Sequence, residues 1–177
     1  MPWYELPWFW PMAQAVGIVL TLVLIYLQVR TQTSAHVVQS LSAIHARWTE
    51  RSMMKARLHV CSNYLANQSE FDGVSEYIAE FIEELGGYVR IGAVSDDVMW
   101  EAHSWYVEHY YCMFRGGIDE LRKLYHDDTL YQKTDELFRS LAAVSKSKQA
   151  PGSDRGELDL RRFAENEVKV AKAFLDL

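Results

Sequence analysis

The sequence predicts an all-α protein: one N-terminal transmembrane helix, a cytoplasmic helical bundle, and a C-terminal amphipathic helix. Three observations predict it. The stretch PWFWPMAQAVGIVLTLVLIYLQVR, Pro7 to Arg30, carries no formal charge before its last residue. Beyond it, apolar residues recur at spacings of three and four, the helical period, with no useful length of β alternation. Near the end, Leu160, Ala164, Val168, Ala171 and Leu175 fall on one face of a helix.

The elements follow in order. Residues 1–10 form an aromatic interfacial tail, with Trp3, Tyr4, Trp8, Phe9 and Trp10 crowded together. Amphipathic rings favour the headgroup level of a bilayer, so these residues, with Tyr26 and Arg30 at the other end, are expected membrane-interface anchors. Residues 11–29 form the span. A hydrocarbon core of about 30 Å needs roughly 20 helical residues. Pro11 suits the first turn, where its missing N–H costs nothing. A cleaved secretion signal wants a positive start and small residues at the cut, whereas this chain begins MPWYELP and leaves the span as IYLQVRTQT. A retained span and a buried core helix are the two readings, and length and flanks favour the span. Cations follow it (Arg30, Arg47, Arg51, Lys55, Arg57) and none precede it. Positive residues stay inside, so the expected placement is a bacterial inner membrane, N-terminus out and C-terminal domain in the cytoplasm.

Residues 30–144 are read as the bundle. Val37, Leu41, Ile44 and Trp48 make one stripe, and Leu58, Cys61 and Leu65 continue it after a phase shift near Arg51. The span can run straight into this stripe as one long helix, with Thr31 to Ser34 its weak point, because Thr and Ser are poor helix formers. A break is expected at ANQSEFDG, Ala66 to Gly73. The next stripe, Val74 to Val89, is interrupted at Gly86-Gly87 and ends at Gly92. Ser95 is an expected N-cap, with Asp96 and Asp97 favoured by the helix dipole in the first turn. The helix it starts, VMWEAHSWYVEHYYCMF, is apolar on nearly every side and belongs mid-bundle. It is expected to close at Gly116-Gly117, with a short helix at Ile118, Leu121 and Leu124. Asp127 or Asp128 would cap another helix. Residues 145–156 read as a linker, and residues 157–177 as a docking helix. That helix must meet the bundle, the membrane or another protein; Leu160, Ala164, Val168, Ala171 and Leu175 are its expected partner-docking residues.

Composition bounds the chemistry. Net charge is −6, which argues against general nucleic-acid binding, since that needs a cationic face. Charge is uneven: residues 30–60 carry five basic residues and Glu50, while residues 70–101 carry nine acids and Arg90. The basic stretch suits an anionic membrane surface. Cys61 and Cys112 form no CxxC and read as small core residues. His103 and His109, six apart, project about 120° from each other on a helix, and H-E-x-x-H is absent. Both histidines read as satisfying buried hydrogen bonds. GGYVRIG lacks the Lys-Ser or Lys-Thr of a phosphate loop. Within the span, no ionisable residue offers an axial ligand or an ion relay, and Ala13 with Gly17 makes one small-xxx-small pair. No cofactor, metal site or catalytic residue is expected.

The stretches RSMMKARLHV, FIEELGGYVRIGAVSDDVMWEAHSWYVEHYY and YQKTDELFRSL, within roughly residues 12–142, give the chain a pattern that resembles a widespread bacterial family of uncharacterised single-span membrane proteins. The resemblance implies a cytoplasmic helical domain and carries no active-site residue across. The expectation for function is a non-enzymatic accessory subunit that meets other membrane-protein subunits. Its host would be an energy-converting assembly such as a photosynthetic reaction centre with its antenna, or a respiratory complex. The alternatives are a membrane-tethered sensor or effector that self-associates, and an enzyme using the aromatic region Trp100 to Tyr111.

Overall fold

A computed structural model describes residues 8–68, 70–148 and 159–176, the side chains of residues 29–37 excepted. The described residues are all-helical, and the chain divides into two compact units, Met1–Leu41 and Ser42–Leu177. Helix α1, Phe9–Trp48, supplies the first unit and the opening turns of the second. The expected weak point at Thr31 to Ser34 is helical. Each such residue costs only tenths of a kcal/mol against alanine, too little to break a long helix. Within α1, Phe9–Gln28 is long and apolar enough to cross a membrane, and none of that window is buried. Trp3 and Tyr4 lie outside the described residues.

The second unit is the bundle. The phase shift near Arg51 is a helix break: Thr49 Oγ1 donates to the carbonyls of His45 and Ala46, and α2, Arg51–Leu65, begins after an extended Glu50. Helix α3, Gly73–Arg90, is capped by Asp72, whose carboxylate accepts from the backbone N–H groups of Val74 and Ser75. The expected interruption at Gly86-Gly87 does not occur. The α3 helix runs through, and Gly86 lies directly against the backbone of Lys133 in the next-but-one helix. A Cβ there would sit 2.5 Å from the Lys133 carbonyl oxygen. Gly92 has a φ of +71°, the left-handed conformation that glycine tolerates without strain. Ser95 then caps α4, Asp96–Tyr125, accepting from Val98 N–H.

Helix α4 also runs through the glycine pair expected to end it. A Cβ on Gly117 would collide with Cβ and Cγ of Phe71, so this glycine lets the loop before α3 press on the helix. The separate short helix at Ile118 to Leu124 is therefore the last third of α4. Asp127 caps only a turn, accepting from Thr129. Helix α5, Gln132–Lys148, is capped from elsewhere: Glu83 of α3 accepts from Lys133 N–H and from Thr134 N–H and Oγ1. Arg122 ties the α4–α5 turn to the Leu130 carbonyl and to Asp135. Four residues assigned to the linker, 145–148, belong to α5, and 149–156 lie outside the described residues.

Helix α6, Leu160–Leu175, is capped by Asp159 and packs chiefly on α2, with a smaller contact to α4. Helix α5 packs on both α3 and α4. Fully buried side chains such as Phe81, Ile82, Met99, Tyr110, Leu137 and Phe163 form the core. The mid-bundle placement of α4 is thus correct, although its Trp105 is 54% exposed.

Candidate functional site

Three surfaces could carry function: the apolar span, a polar network under α6, and a cleft beside α4. On the span, Trp8 and Trp10 are exposed, Phe9 is half-buried against the Trp10 ring, and Tyr26 is exposed at the far end. Arg30 lies in α1, its side chain outside the described residues.

The docking residues of α6 have their partner within the chain. Ala164, Ala171 and Leu175 are buried and Leu160 and Val168 half-buried, with Ala171 and Leu175 clustering against Met54 and Leu58 of α2. Of the three surfaces open to this helix, the bundle is the one these residues meet: an amphipathic helix satisfies its apolar face on the nearest complementary surface, here α2.

Under α6 lies the network that periodicity did not reveal. Arg57 and Glu167 form a two-pronged ion pair, Nε to Oε2 at 2.7 Å and Nη2 to Oε1 at 2.9 Å, with only 3% and 5% of the residues exposed. Tyr110 donates to Glu167 Oε2 at 3.0 Å, and Cys61 Sγ lies 3.5 Å from the Tyr110 hydroxyl. The Arg57 guanidinium stacks 4.3 Å over the Trp48 ring. Burial alone would favour a neutral guanidine, but the Glu167 carboxylate outweighs it and raises the Arg57 pKa. Burial pushes the Cys61 thiol up to about 12 and raises the Tyr110 hydroxyl well above its ordinary value. Thiolate chemistry at Cys61 is thereby suppressed. The arrangement joins α2, α4 and α6 in one register.

The two histidines diverge. His109 donates from Nδ1 to the Trp105 carbonyl at 2.6 Å, and its ring stacks on Phe163. His103 is buried with Nδ1 unpartnered, contrary to the expected hydrogen bond. Burial, then the charge of His45, lowers its pKa to about 4. Trp100 Nε1 donates to Ser145 Oγ, which donates to buried Glu108, so the aromatic region is bound into α5. Among the described residues, no group of three or more His, Cys, Asp or Glu is placed to hold a metal ion.

The cleft, about 750 Å³, lies between the end of α2, the start of α3 and the last half of α4. Its floor includes Val60, Tyr64, Phe71 and Phe114, and its charged residues are Glu70 and Glu120.

Sequence reasoning missed Arg57, Glu167, Tyr110 and the cleft. One signal for the pair was present: Glu167 sits between Ala164 and Ala171 on the apolar face of α6, and Arg57 between Met54 and Val60 on that of α2. A lone charge on each of two apolar faces is the mark of a buried pair. Compared with protein-family models, curated proteins and solved structures, the chain matches none of them.

Proposed function

We propose that this chain is a non-enzymatic accessory subunit of a larger membrane assembly, held by its single span and contributing its bundle as a protein-binding surface. The observation that carries this reading is the unburied span. Nine aliphatic side chains between Val16 and Leu27 are about half exposed or more. Taking them out of water is worth on the order of 10 kcal/mol, and a bilayer is the environment that matches a helix of this length. The cation asymmetry supports an N-out, C-in orientation in a bacterial inner membrane. The resemblance in pattern to single-span bacterial proteins with a cytoplasmic helical domain points the same way. The buried ionisable groups act as internal fasteners, which favours scaffolding over catalysis. An energy-converting complex is the host class proposed.

The test is extraction from the native membrane. The chain should resist high salt and alkaline carbonate, come out with mild detergent, and migrate with other membrane polypeptides. A chain that is freely soluble, or that runs alone, defeats the proposal.

A second reading, a tethered sensor or effector that self-associates, is favoured by complementary faces. The outer side of α6 exposes Arg161, Arg162, Lys169 and Lys172 beside Glu165, whereas α3 and early α4 expose Glu80, Glu84, Asp97 and Glu101, of which Glu84 pairs with Arg47 and Asp97 and Glu101 share Lys148. A purified mass that is a multiple of this chain alone, collapsing on Lys169→Glu with Lys172→Glu, would select it.

A further inference from the structure

The cleft beside α4 combines three features. First, one wall is a single helix face: Met113, Gly116, Glu120 and Leu124, spaced three or four apart, run about 16 Å along α4. Second, Gly116 has no internal reason to be glycine. Its neighbour Gly117 is required by Phe71, but a Cβ on Gly116 would meet nothing within 4 Å. A glycine inside a helix costs about 1 kcal/mol against alanine. The bare backbone lies exposed on the cleft wall, where it permits close approach from outside. Third, the electrostatics have one sign. Glu70 and Glu120 are exposed, and none of the described residues lining the cleft is Lys or Arg.

We infer that this cleft is a docking groove for a basic amphipathic helix of a partner protein, which packs a small residue on Gly116 and sets Lys or Arg beside Glu70 and Glu120. The inference deepens the accessory-subunit reading and rests on it. Helix-in-groove recognition uses apolar anchors at i, i+3 or i+4, and i+7. A wall of about 16 Å matches three turns of such a helix. The floor takes the apolar face, and the two carboxylates steer and orient the cationic one.

The probe is a fluorescent helical peptide of Leu and Lys with a central Ala, beside a Leu and Glu counterpart. Binding is measured by anisotropy to the full chain in zwitterionic nanodiscs, with empty nanodiscs subtracted. The wild type should bind the Lys peptide at least tenfold more tightly than the Glu peptide. Gly116→Leu keeps every charge and should weaken that binding at least tenfold, with an unchanged or raised Tm. Glu70→Lys with Glu120→Lys, both on the surface, should reverse the preference, and it decides the matter if Gly116→Leu fails to fold. No binding, no preference, or full binding by Gly116→Leu overturns the groove. Native partners that still co-purify with Gly116→Leu remove the groove and leave the accessory reading intact. A wild-type chain that co-purifies with nothing removes the reading itself.

Discussion

The Arg57–Glu167 pair gives the sharpest test of how the bundle is held. Glu167→Gln keeps the side chain's size and an acceptor for Tyr110 but removes the charge facing a guanidinium that is 3% exposed. At 2.7 Å and an effective dielectric of about 20, the Coulomb attraction lost is about 6 kcal/mol. Part of it returns because one ion no longer needs desolvation, and breaking one side of a buried pair costs about 3–5 kcal/mol in practice. Because α6 is attached mainly through α2, the loss should show first as opening of α6. Hydrogen exchange of α6 amides in the full detergent-solubilised chain should accelerate by a factor between about 10² and about 5 × 10³. Trp48, with Arg57 stacked on it, should report the change in fluorescence. The double variant Arg57→Met with Glu167→Leu removes both charges, leaving Tyr110 without its carboxylate acceptor and the Trp48 carbonyl without the Arg57 Nη1 donor. It should lie within about 2 kcal/mol of wild type. Less than fivefold acceleration in Glu167→Gln, or a double variant as damaged as the two single variants summed, would refute this account.

The same structure sets three further expectations. Gly117→Ala should destabilise the bundle by about 1–3 kcal/mol, because the collision falls on the stiff base of Phe71, whereas Gly116→Ala should stabilise it by about 1 kcal/mol; thermal melts of the two variants compare them directly. His103 titrates near 4 in the folded chain and near 6.5 unfolded, so its contribution is fully present above about pH 6.5 and is lost as pH falls toward 4. That loss is up to about 3 kcal/mol, and His103→Phe should flatten a plot of unfolding free energy against pH across that window. Leu20→Arg places a charge mid-span at a cost of about 2.5–3.5 kcal/mol for insertion, and membrane fractionation should show more of the chain failing to integrate.

Periodicity and capping chemistry were legible because they are local. The three-and-four spacing announced helices, Ser95 announced its cap, and Gly92 announced a stop, each through forces acting within a few residues. The glycine pairs misled for the same reason. Read locally, Gly86-Gly87 and Gly116-Gly117 are breaks. In the fold, Gly86 and Gly117 are where another part of the chain comes too close for a Cβ, and surrounding packing carries the helix through. Likewise α5 lacks a cap of its own and takes one from Glu83, about fifty positions earlier, which no window on the sequence connects.

The sequence by itself determined that this chain is helical and that Phe9–Gln28 is apolar enough for a bilayer, because hydropathy and helical period are sums over neighbouring residues. Only the tertiary structure decided where α6 docks, that Arg57 meets Glu167 across 110 positions, and that one face of α4 stands open as a cleft. Those outcomes depend on which surfaces meet in space, and the free energy of burying an apolar stripe is nearly the same whichever partner covers it.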